Sequence, residues 1–223
     1  MSRIILLSLI FISTMGIAQD GPTVVVFNSS SSKEPDYWSK HNLVKFNVFE
    51  AFSGDFAFYY ERILNENFSV EGGIGVTMSD YFSMMWSDNF DFSDETVQPL
   101  MGFSFLAGGR YYPYRAADEF YFAPEFKYRY YHNLKTYTDF TGTEKEVEES
   151  RTLYTGRVTF GYVYFFDDNI FIDYSAGFGI ARIHDASLEE NYNSTTSQFE
   201  YTVEENARLA PRFHMGLKIG VAF

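Results

Sequence analysis

The chain has 223 residues, with 30 acidic against 17 basic side chains, and its net charge of -13 argues against nucleic acid, whose phosphates it would repel, as a partner. It contains no cysteine, which excludes disulfides and lipid attachment at a cysteine. Aromatic residues make up 20% of the chain, with 25 Phe and 18 Tyr, a composition that favours strands over helices.

The first 18 residues have the composition of a secretory signal peptide. Arg3 supplies the positive charge, an apolar stretch of about 12 residues follows, and Gly16 and Ala18 are the small residues of a cleavage site. The apolar stretch is shorter than the ~20 residues of a membrane-spanning helix. We therefore expect cleavage after Ala18 and export, leaving an N-terminal extension at 19–42 whose Ser-rich middle is typical of a linker.

After this extension the chain repeats an alternation of apolar and polar residues, the pattern of strands that present successive side chains to opposite faces. At 119–134, for example, Phe126 and Tyr128 alternate with Lys127 and Arg129. Glu50 interrupts the pattern, because it falls on the apolar face of the first strand. Eight strands are predicted, near residues 43–52, 56–64, 68–77, 99–113, 119–134, 152–166, 170–183 and 208–223.

The connections between these strands alternate in length, apart from a short one between strands 1 and 2. Three compact turns alternate with three longer segments, predicted as loops at 78–98, 135–151 and 184–207. Short and long connections then lie at opposite ends of the sheet, as in outer-membrane barrels. A closed ring also pairs every backbone group, as lipid requires. The expected fold is all-β, an eight-stranded antiparallel up-and-down transmembrane β-barrel at 43–223.

The polar face of the predicted strands carries charged residues and glycines, a costly choice for a soluble sandwich core and the expected one for a narrow barrel interior. We expect these charges to point inward and to form ion pairs. Seven bases meet four acids, so a narrow anion-preferring pore is an alternative to a closed plug. The predicted lumen ion network is Lys45, Glu61, Glu71, Arg110, Glu125, Lys127, Arg129, Arg157, Asp173, Arg212 and Lys218.

The segments YYERIL, RYYPY and FKYRYY and the closing strand resemble those of the small eight-stranded outer-membrane β-barrel proteins of Gram-negative bacteria, OmpA/OmpX-like in architecture. The resemblance covers residues 43–223 and implies location in the cell outer membrane, in contact with outer-membrane lipid and lipopolysaccharide. It also implies that the last strand is a signal for the outer-membrane assembly machinery. The residues that carry this signal are Phe213, Met215, Leu217, Ile219, Val221 and Phe223.

The long connections are rich in carboxylates, which are oxygen ligands for Ca²⁺ or Mg²⁺. Divalent cations bridging to lipopolysaccharide are therefore candidate partners, although the spacing is not that of an EF-hand loop. The competing interpretation is a solvated, repulsive outer surface. The carboxylates are Asp80, Asp88, Asp91, Asp94, Glu95, Asp139, Glu144, Glu146, Glu148, Glu149, Asp185, Glu189, Glu190, Glu200, Glu204 and Glu205.

Two further functions stay open. A lipid-modifying enzyme would need Ser, His and an acid near the outer rim, where His132 and His184 lie, but no nucleophile motif accompanies them. We expect no catalytic residue, metal or cofactor. A soluble exported lipocalin-like carrier of apolar ligands would line an apolar cup with the aromatic residues. The carrier and the membrane barrel predict opposite faces for Phe126 and Lys127.

Overall fold

The structure is a computed structural model and describes residues 40–78, 96–117, 119–138, 143–193 and 198–223. The predicted signal peptide and nearly all of the N-terminal extension lie outside these residues. The elements follow in the order β1 (Asn42–Asn47), α1 (Val48–Phe52), β2 (Asp55–Ile63), β3 (Phe68–Thr77), β4 (Thr96–Tyr111), β5 (Glu119–Thr138), β6 (Glu144–Phe165), β7 (Ile170–Asn193) and β8 (Gln198–Ala222). No helix in the described part of the chain is long and apolar enough to cross a membrane.

Each strand pairs antiparallel with the next in sequence, and β1 pairs with β8, so that the sheet is a closed barrel. The closure is fixed at one end by two backbone hydrogen bonds: Asn42 donates to Phe223 over 3.1 Å, and Phe223 donates to Asn42 over 2.9 Å. The predicted all-β fold of eight antiparallel up-and-down strands is confirmed.

Compact connections join β2 to β3, β4 to β5 and β6 to β7 at one end of the barrel, which we call the short-turn rim. In the first of them the Asn65 side chain accepts hydrogen bonds of 3.0 Å from the backbone N–H groups of Asn67 and Phe68. Asparagine reverses a chain in this way because its side chain replaces a backbone acceptor. The opposite end, with the other connections, is called the far rim.

The first strand ends five residues earlier than predicted. Asn47 caps α1, since its side chain accepts from the N–H groups of Phe49 and Glu50 over 3.2 and 3.3 Å. Asn followed three residues later by Glu is a recognised signature of a helix start. The turn of helix carries Glu50 away from the apolar face on which a continuous strand would have placed it, and buries it inside the barrel.

Two of the predicted loops, 135–151 and 184–207, are mostly strand. β5 and β6 remain paired from Glu119↔Val163 to Thr138↔Glu144, and β7 and β8 remain paired to Asn193↔Gln198. At 144–151 the sequence lacks the alternation that marks a strand. At 198–204 the alternation is present, since Phe199, Tyr201 and Val203 alternate with polar residues, and the interpretation of this segment as a loop overlooked it. Of the third predicted loop, residues 79–95 lie outside the described residues, and β4 begins at Thr96.

The wall of the barrel is uneven in height. β1 pairs with β8 only from Lys218 to Ala222, and β3 pairs with β4 only from Gly102 onward. Among the described residues, 198–217 of β8 pair with β7 alone. Beyond the closed part, β4 to β8 continue as one sheet, in which residues 96–100 of β4 pair with 132–136 of β5. Its part on β5 to β8 is called the extension and is defined as residues 132–138, 144–151, 184–193 and 198–209.

The two faces of the closed barrel are inverted relative to a soluble protein. In β2, Phe56, Phe58 and Tyr60 are 43%, 59% and 47% exposed on the outside, whereas the alternate residues Tyr59 and Glu61 are at most 1% exposed. In β5, Phe126 is 41% exposed and Lys127 only 1%. The barrel therefore presents aromatic rings outward and encloses its charges.

Candidate functional site: the charged barrel interior

Of the eleven residues of the predicted lumen network, nine are buried and two, Arg129 and Arg212, are half-buried. Ten of the eleven lie in two clusters of ion pairs, to which the structure adds Glu50 and Asp55. Arg212, on β8, lies at the edge of the second cluster. The clusters occupy successive levels of the barrel, one near the short-turn rim and one beside α1.

The cluster near the short-turn rim, called the short-turn cluster, contains three bases and three acids from six different strands. Arg110 is its centre: Nη2 lies 2.6 Å from Glu71, and Nη1 lies 2.8 Å from Asp173 and 3.4 Å from Glu61. Because the residues come from six strands, these contacts exist only when the barrel is closed. The members are Lys45, Glu61, Glu71, Arg110, Asp173 and Lys218.

Two lysines complete the short-turn cluster. Lys45 forms ion pairs with all three acids, at 2.7 Å to Glu71, 3.2 Å to Asp173 and in direct contact with Glu61. Lys218 lies 2.5 Å from Glu71. Each carboxylate thus faces at least two cations, an arrangement that offsets the desolvation of six buried charges.

Tyrosines enclose the short-turn cluster and supply further donors to its acids. The Tyr112 hydroxyl donates to Glu61 and the Tyr121 hydroxyl to Asp173, both over 2.6 Å. The Arg110 guanidinium also lies 4.2 Å from the centre of the Tyr121 ring, within the range of a cation–π contact. The interior is therefore packed with specific partners at this level.

The second cluster, called the helix cluster, is organised around Glu50 of α1. Glu50 accepts from Lys127 and Arg129 over 2.9 Å each, lies 3.4 Å from Arg157 and accepts the hydroxyl of Tyr59. The short first connection of the barrel thus folds inward and supplies the central acid. The members are Glu50, Asp55, Glu125, Lys127, Arg129 and Arg157.

The other two acids of the helix cluster have their own partners. Asp55 lies 2.8 Å from Lys127 and 2.9 Å from Arg129, and it accepts the Ser104 hydroxyl over 2.6 Å. Glu125 accepts from Nε of Arg157 over 2.7 Å. The helix cluster, like the short-turn cluster, sets three acids against three bases.

Tyr59 separates the two clusters. Its ring centre lies 4.5 Å from Nζ of Lys218 in the short-turn cluster and 5.1 Å from Nζ of Lys127 in the helix cluster. Gly73 on the neighbouring strand makes room for the ring, since a Cβ there would lie 2.4 Å from Cδ1 of Tyr59. Leu106, which breaks the polar pattern of β4, is buried beside Tyr59 and Ala57.

Sequence reasoning missed Glu50 and Asp55. The misfit of Glu50 in the first strand, three residues after Asn47, was the available signal; Asp55 lay in a segment interpreted as a turn. Their addition changes the interior from seven bases and four acids to seven bases and six acids. Most of the basic excess that suggested an anion-preferring pore is thereby neutralised.

The predicted assembly signal lies on the outer face of β8. Phe213, Met215, Ile219, Val221 and Phe223 are exposed, and Leu217 is half-exposed. The alternate residues from His214 to Ala222 point inward, as the alternation predicts.

The histidines of the enzymatic alternative lie on the extension. Nε2 of His132 lies 3.4 Å from Oε2 of Glu148, and His132 is directly opposite Ser150 in the β5–β6 register. His184 is opposite Thr152, and its ring packs edge-on against Tyr154 with centres 6.0 Å apart.

The candidate cation-binding acids fall into two sets. Those described by the structure lie on the extension, and no group of three or more His, Asp or Glu in the described ranges is arranged to hold a metal ion. The others lie outside the described residues: Asp80, Asp88, Asp91, Asp94, Glu95 and Asp139.

Comparison of the chain with protein-family models, with curated proteins and with solved structures gave no match.

Proposed function

We propose that the chain is an integral outer-membrane β-barrel protein without enzymatic activity, whose interior is a charge-paired plug and whose acidic extension projects from the cell surface. The observation that carries the proposal is the inversion of the two faces. Aromatic and aliphatic side chains cover the outside of a barrel whose inside holds twelve ion-paired residues in two clusters.

The energetic argument concerns the solvent outside the barrel. Among the described residues, 35 large hydrophobic side chains are exposed. Burial of one such side chain is favourable by about 1.5–3 kcal/mol, so leaving this many in water is unfavourable for a monomer. Hydrocarbon around the barrel removes the penalty, and a closed sheet leaves no free backbone groups at the level where its strands are paired all round.

Aromatic residues at the short-turn rim support the same proposal. Tyr111, Tyr162 and Tyr164 point outward near the ends of β4 and β6 and are about half exposed. Tyrosine is enriched where a membrane meets water, because its ring is apolar and its hydroxyl is polar. These residues would form the girdle at one interface.

A lipocalin-like carrier requires the opposite arrangement. It would hide Phe126 in an apolar cup and expose Lys127, whereas Phe126 points outward and Lys127 is enclosed with Glu50 and Asp55. A filled, charged interior offers no apolar binding cavity at this level of the barrel, so the geometry favours the membrane barrel.

The extension supplies the outer surface in this proposal. It carries ten acids, Glu144, Glu146, Glu148, Glu149, Asp185, Glu189, Glu190, Glu200, Glu204 and Glu205, against four bases, Lys135, Lys145, Arg151 and Arg208. β8 has 25 residues, whereas a tilted strand needs only about 9–11 residues to cross a bilayer. At ~3.3 Å per residue, much of β8 therefore lies beyond the membrane in this proposal. The projecting part is suited to contact with lipopolysaccharide, divalent cations or a protein partner.

The membrane assignment is tested with single cysteines, which the cysteine-free chain makes unambiguous. Spin labels at Phe105→Cys, on the outer face of β4, and at the adjacent Leu106→Cys, inside the barrel, are compared after reconstitution into lipid vesicles. We expect the label at 105 to be accessible to oxygen dissolved in the lipid and protected from a water-soluble nickel chelate. Glu146→Cys on the extension is the water-exposed control.

The membrane assignment would be overturned if the nickel chelate reached the label at 105 as readily as it reaches the label at 146. Location is checked independently by fractionation of the cells and by the heat-dependent gel mobility that closed membrane barrels show.

One arrangement favours a second candidate, a lipid hydrolase. His132 has an acid at Glu148 and a hydroxyl directly across the strand pair at Ser150, the three residue types of a nucleophilic triad. The surrounding backbone N–H groups belong to paired strands, which leaves them unsuited to stabilise an oxyanion. Lipid hydrolysis by the purified protein that is lost in Ser150→Ala, but kept in Ser187→Ala, would support this candidate over the non-enzymatic one.

A further inference from the structure

The outer face of β7 changes from apolar to cationic at Arg182. Arg182 is exposed and points outward, since its chain neighbours Ala181 and Ile183 are buried inside the barrel. The two residues that precede it on the outer face, Phe178 and Ile180, are 64% and 62% exposed. A guanidinium group therefore lies directly beside an exposed apolar surface.

Arg182 also lies where β7 would leave the membrane. A tilted strand crosses a bilayer in about 9–11 residues, so a crossing that begins at Ile170 on the short-turn rim ends near Ile180. Tyr154, directly opposite Arg182 on β6, packs its ring against Tyr128 with centres 5.2 Å apart. Tyrosine is enriched where a membrane meets water, so Arg182 lies at the level of the lipid headgroups.

Arg182 makes no ion pair and no hydrogen bond with any residue that the structure describes. The adjacent base Arg208 lies on the opposite face of the sheet, where it pairs with Asp185 over 3.4 Å. On the outer face of β8 the nearest acid is Glu205, opposite Ala186, which lies ~13 Å from Arg182 along β7. None of the described carboxylates therefore neutralises Arg182, and its guanidinium is available to an anionic ligand.

His184 adds a second donor on the same face. Residues two apart on a strand point the same way and lie ~6–7 Å apart, which allows the side chains of Arg182 and His184 to reach one phosphate group. The His184 ring packs edge-on against Tyr154 with centres 6.0 Å apart. Its nitrogens make no hydrogen bond with a described residue, so an imidazole N–H is free to donate beside the guanidinium.

The surroundings of Arg182 favour a lipid over an anion dissolved in water. A guanidinium binds phosphate through two parallel hydrogen bonds. Leu209, directly opposite Arg182 on β8, is 74% exposed, and Phe213, opposite Phe178, is 73% exposed. Apolar residues on the side of the hydrocarbon and donors on the side of the water match a molecule with acyl chains and a phosphate head.

We propose that Arg182 and His184 bind the phosphate group of a membrane lipid in the leaflet at the far rim, with the acyl chains against Phe178 and Ile180. The inference rests on the membrane location in the proposed function. The acidic extension above this level repels anionic headgroups, and Arg182 supplies a fixed positive charge that holds one headgroup beneath it.

The test uses the full chain with a bimane label at Leu209→Cys, reconstituted into phosphatidylcholine vesicles. A small fraction of the lipid is replaced by phosphatidic acid or phosphatidylcholine that is brominated near the head of its acyl chains, because bromine quenches the label on contact. We expect phosphatidic acid to bind about fivefold more strongly than phosphatidylcholine, the effect of one arginine at a charged membrane surface. Arg182→Gln should remove this preference, Arg182→Lys should keep part of it, and Arg62→Gln, an outward base near the short-turn rim, should leave it unchanged.

Failure of the inference and failure of the proposed function give different results. If neither brominated lipid quenches the label, the membrane location is wrong and the inference falls with it. If both lipids quench equally, or if Arg182→Gln keeps the preference, the chain lies in the membrane and the inference alone is overturned. Loss of the preference when inorganic phosphate is added would identify free phosphate as the ligand and overturn the lipid assignment.

Discussion

The two clusters inside the barrel contain the same types of side chain and differ in how completely they are enclosed. In the short-turn cluster three bases meet three acids, all of them buried, and tyrosines close it. In the helix cluster Arg129 is half-buried, and a small cavity lies alongside. The short-turn cluster is therefore closed off from solvent on all sides, whereas the helix cluster is partly open.

The difference follows from where the acids come from. Glu61, Glu71 and Asp173 are held on paired strands that cross at fixed spacing. Glu50 is held by α1, a single turn of helix that follows β1 where the strand would otherwise have continued in the barrel wall. The acids of the short-turn cluster are therefore held rigidly by the strands of the wall. The connection that folds inward and supplies Glu50 packs less completely, so the helix cluster is less enclosed.

The largest effect is expected from Arg110→Met, which removes the cation at the centre of the sealed cluster. Glu61, Glu71 and Asp173 would share the two remaining lysines, and loss of one partner from a buried ionic group costs about 3–5 kcal/mol. Unfolding in urea in detergent micelles measures the loss. Arg62→Met, on the outer face of β2, is the control and should change stability far less; equal losses would contradict the central role of Arg110.

A smaller loss, about 2–3 kcal/mol, is expected from Glu50→Gln, since the amide keeps the shape but not the charge that Lys127, Arg129 and Arg157 share. The same urea titration measures it, with Glu205→Gln on the extension as the control. A loss as large as that of Arg110→Met would mean that the two clusters are equally enclosed and would remove the contrast between them.

The partition between the clusters is tested by Gly73→Ala, which pushes a methyl group into the Tyr59 ring and should cost about 1–3 kcal/mol. Gly72→Ala is a matched neighbour on the outer face, where the nearest atom to an added Cβ is 3.9 Å away. In a Tyr59→Ala background the cost of Gly73→Ala should fall sharply. Additive costs in the double-mutant cycle would show that the ring does not rest on the glycine.

The smallest effect is expected outside both clusters. Glu146→Gln on the extension removes an exposed charge and should change the free energy of unfolding by less than about 0.5 kcal/mol. A measurable loss in the same urea titration would show that the charges of the extension support the barrel as well as its surface.

The strands that could be predicted from the sequence are those whose two faces lie in different environments. The alternation of Phe126 with Lys127 and of Phe58 with Glu61 gave the number of strands and the side on which each charge lies. The far end of β6 escaped prediction because residues 144–151 contain a single apolar residue, Val147, and so show no alternation. The far end of β8 does carry the alternation, at Phe199, Tyr201 and Val203, and was missed because its length and charge were interpreted as those of a loop.

The inward-pointing residues of the barrel were predicted one by one, except where the chain leaves the direction of a strand. A strand carries its pattern along its length, so Lys45, Arg110 and Lys218 could be assigned inward. Glu50 enters the barrel because Asn47 ends a strand, and a one-turn helix has too few residues for a periodic signal. The cavity beside the helix cluster is lined by side chains from β5, β6 and β8, which no single stretch of sequence contains.

The edge of β8 that faces away from β7 bears on aggregation, because among the described residues no strand pairs with it before Lys218. An unpaired strand edge is a template on which a second molecule can add its own strand, and flat, uncharged edges are the most hazardous. Between Val203 and Arg212 this edge carries Glu204, Glu205 and Arg208, and Pro211 has no N–H to offer. Two copies that met edge to edge here would face interrupted hydrogen bonding and repulsion between their acidic residues, which makes this edge a poor template for fibres.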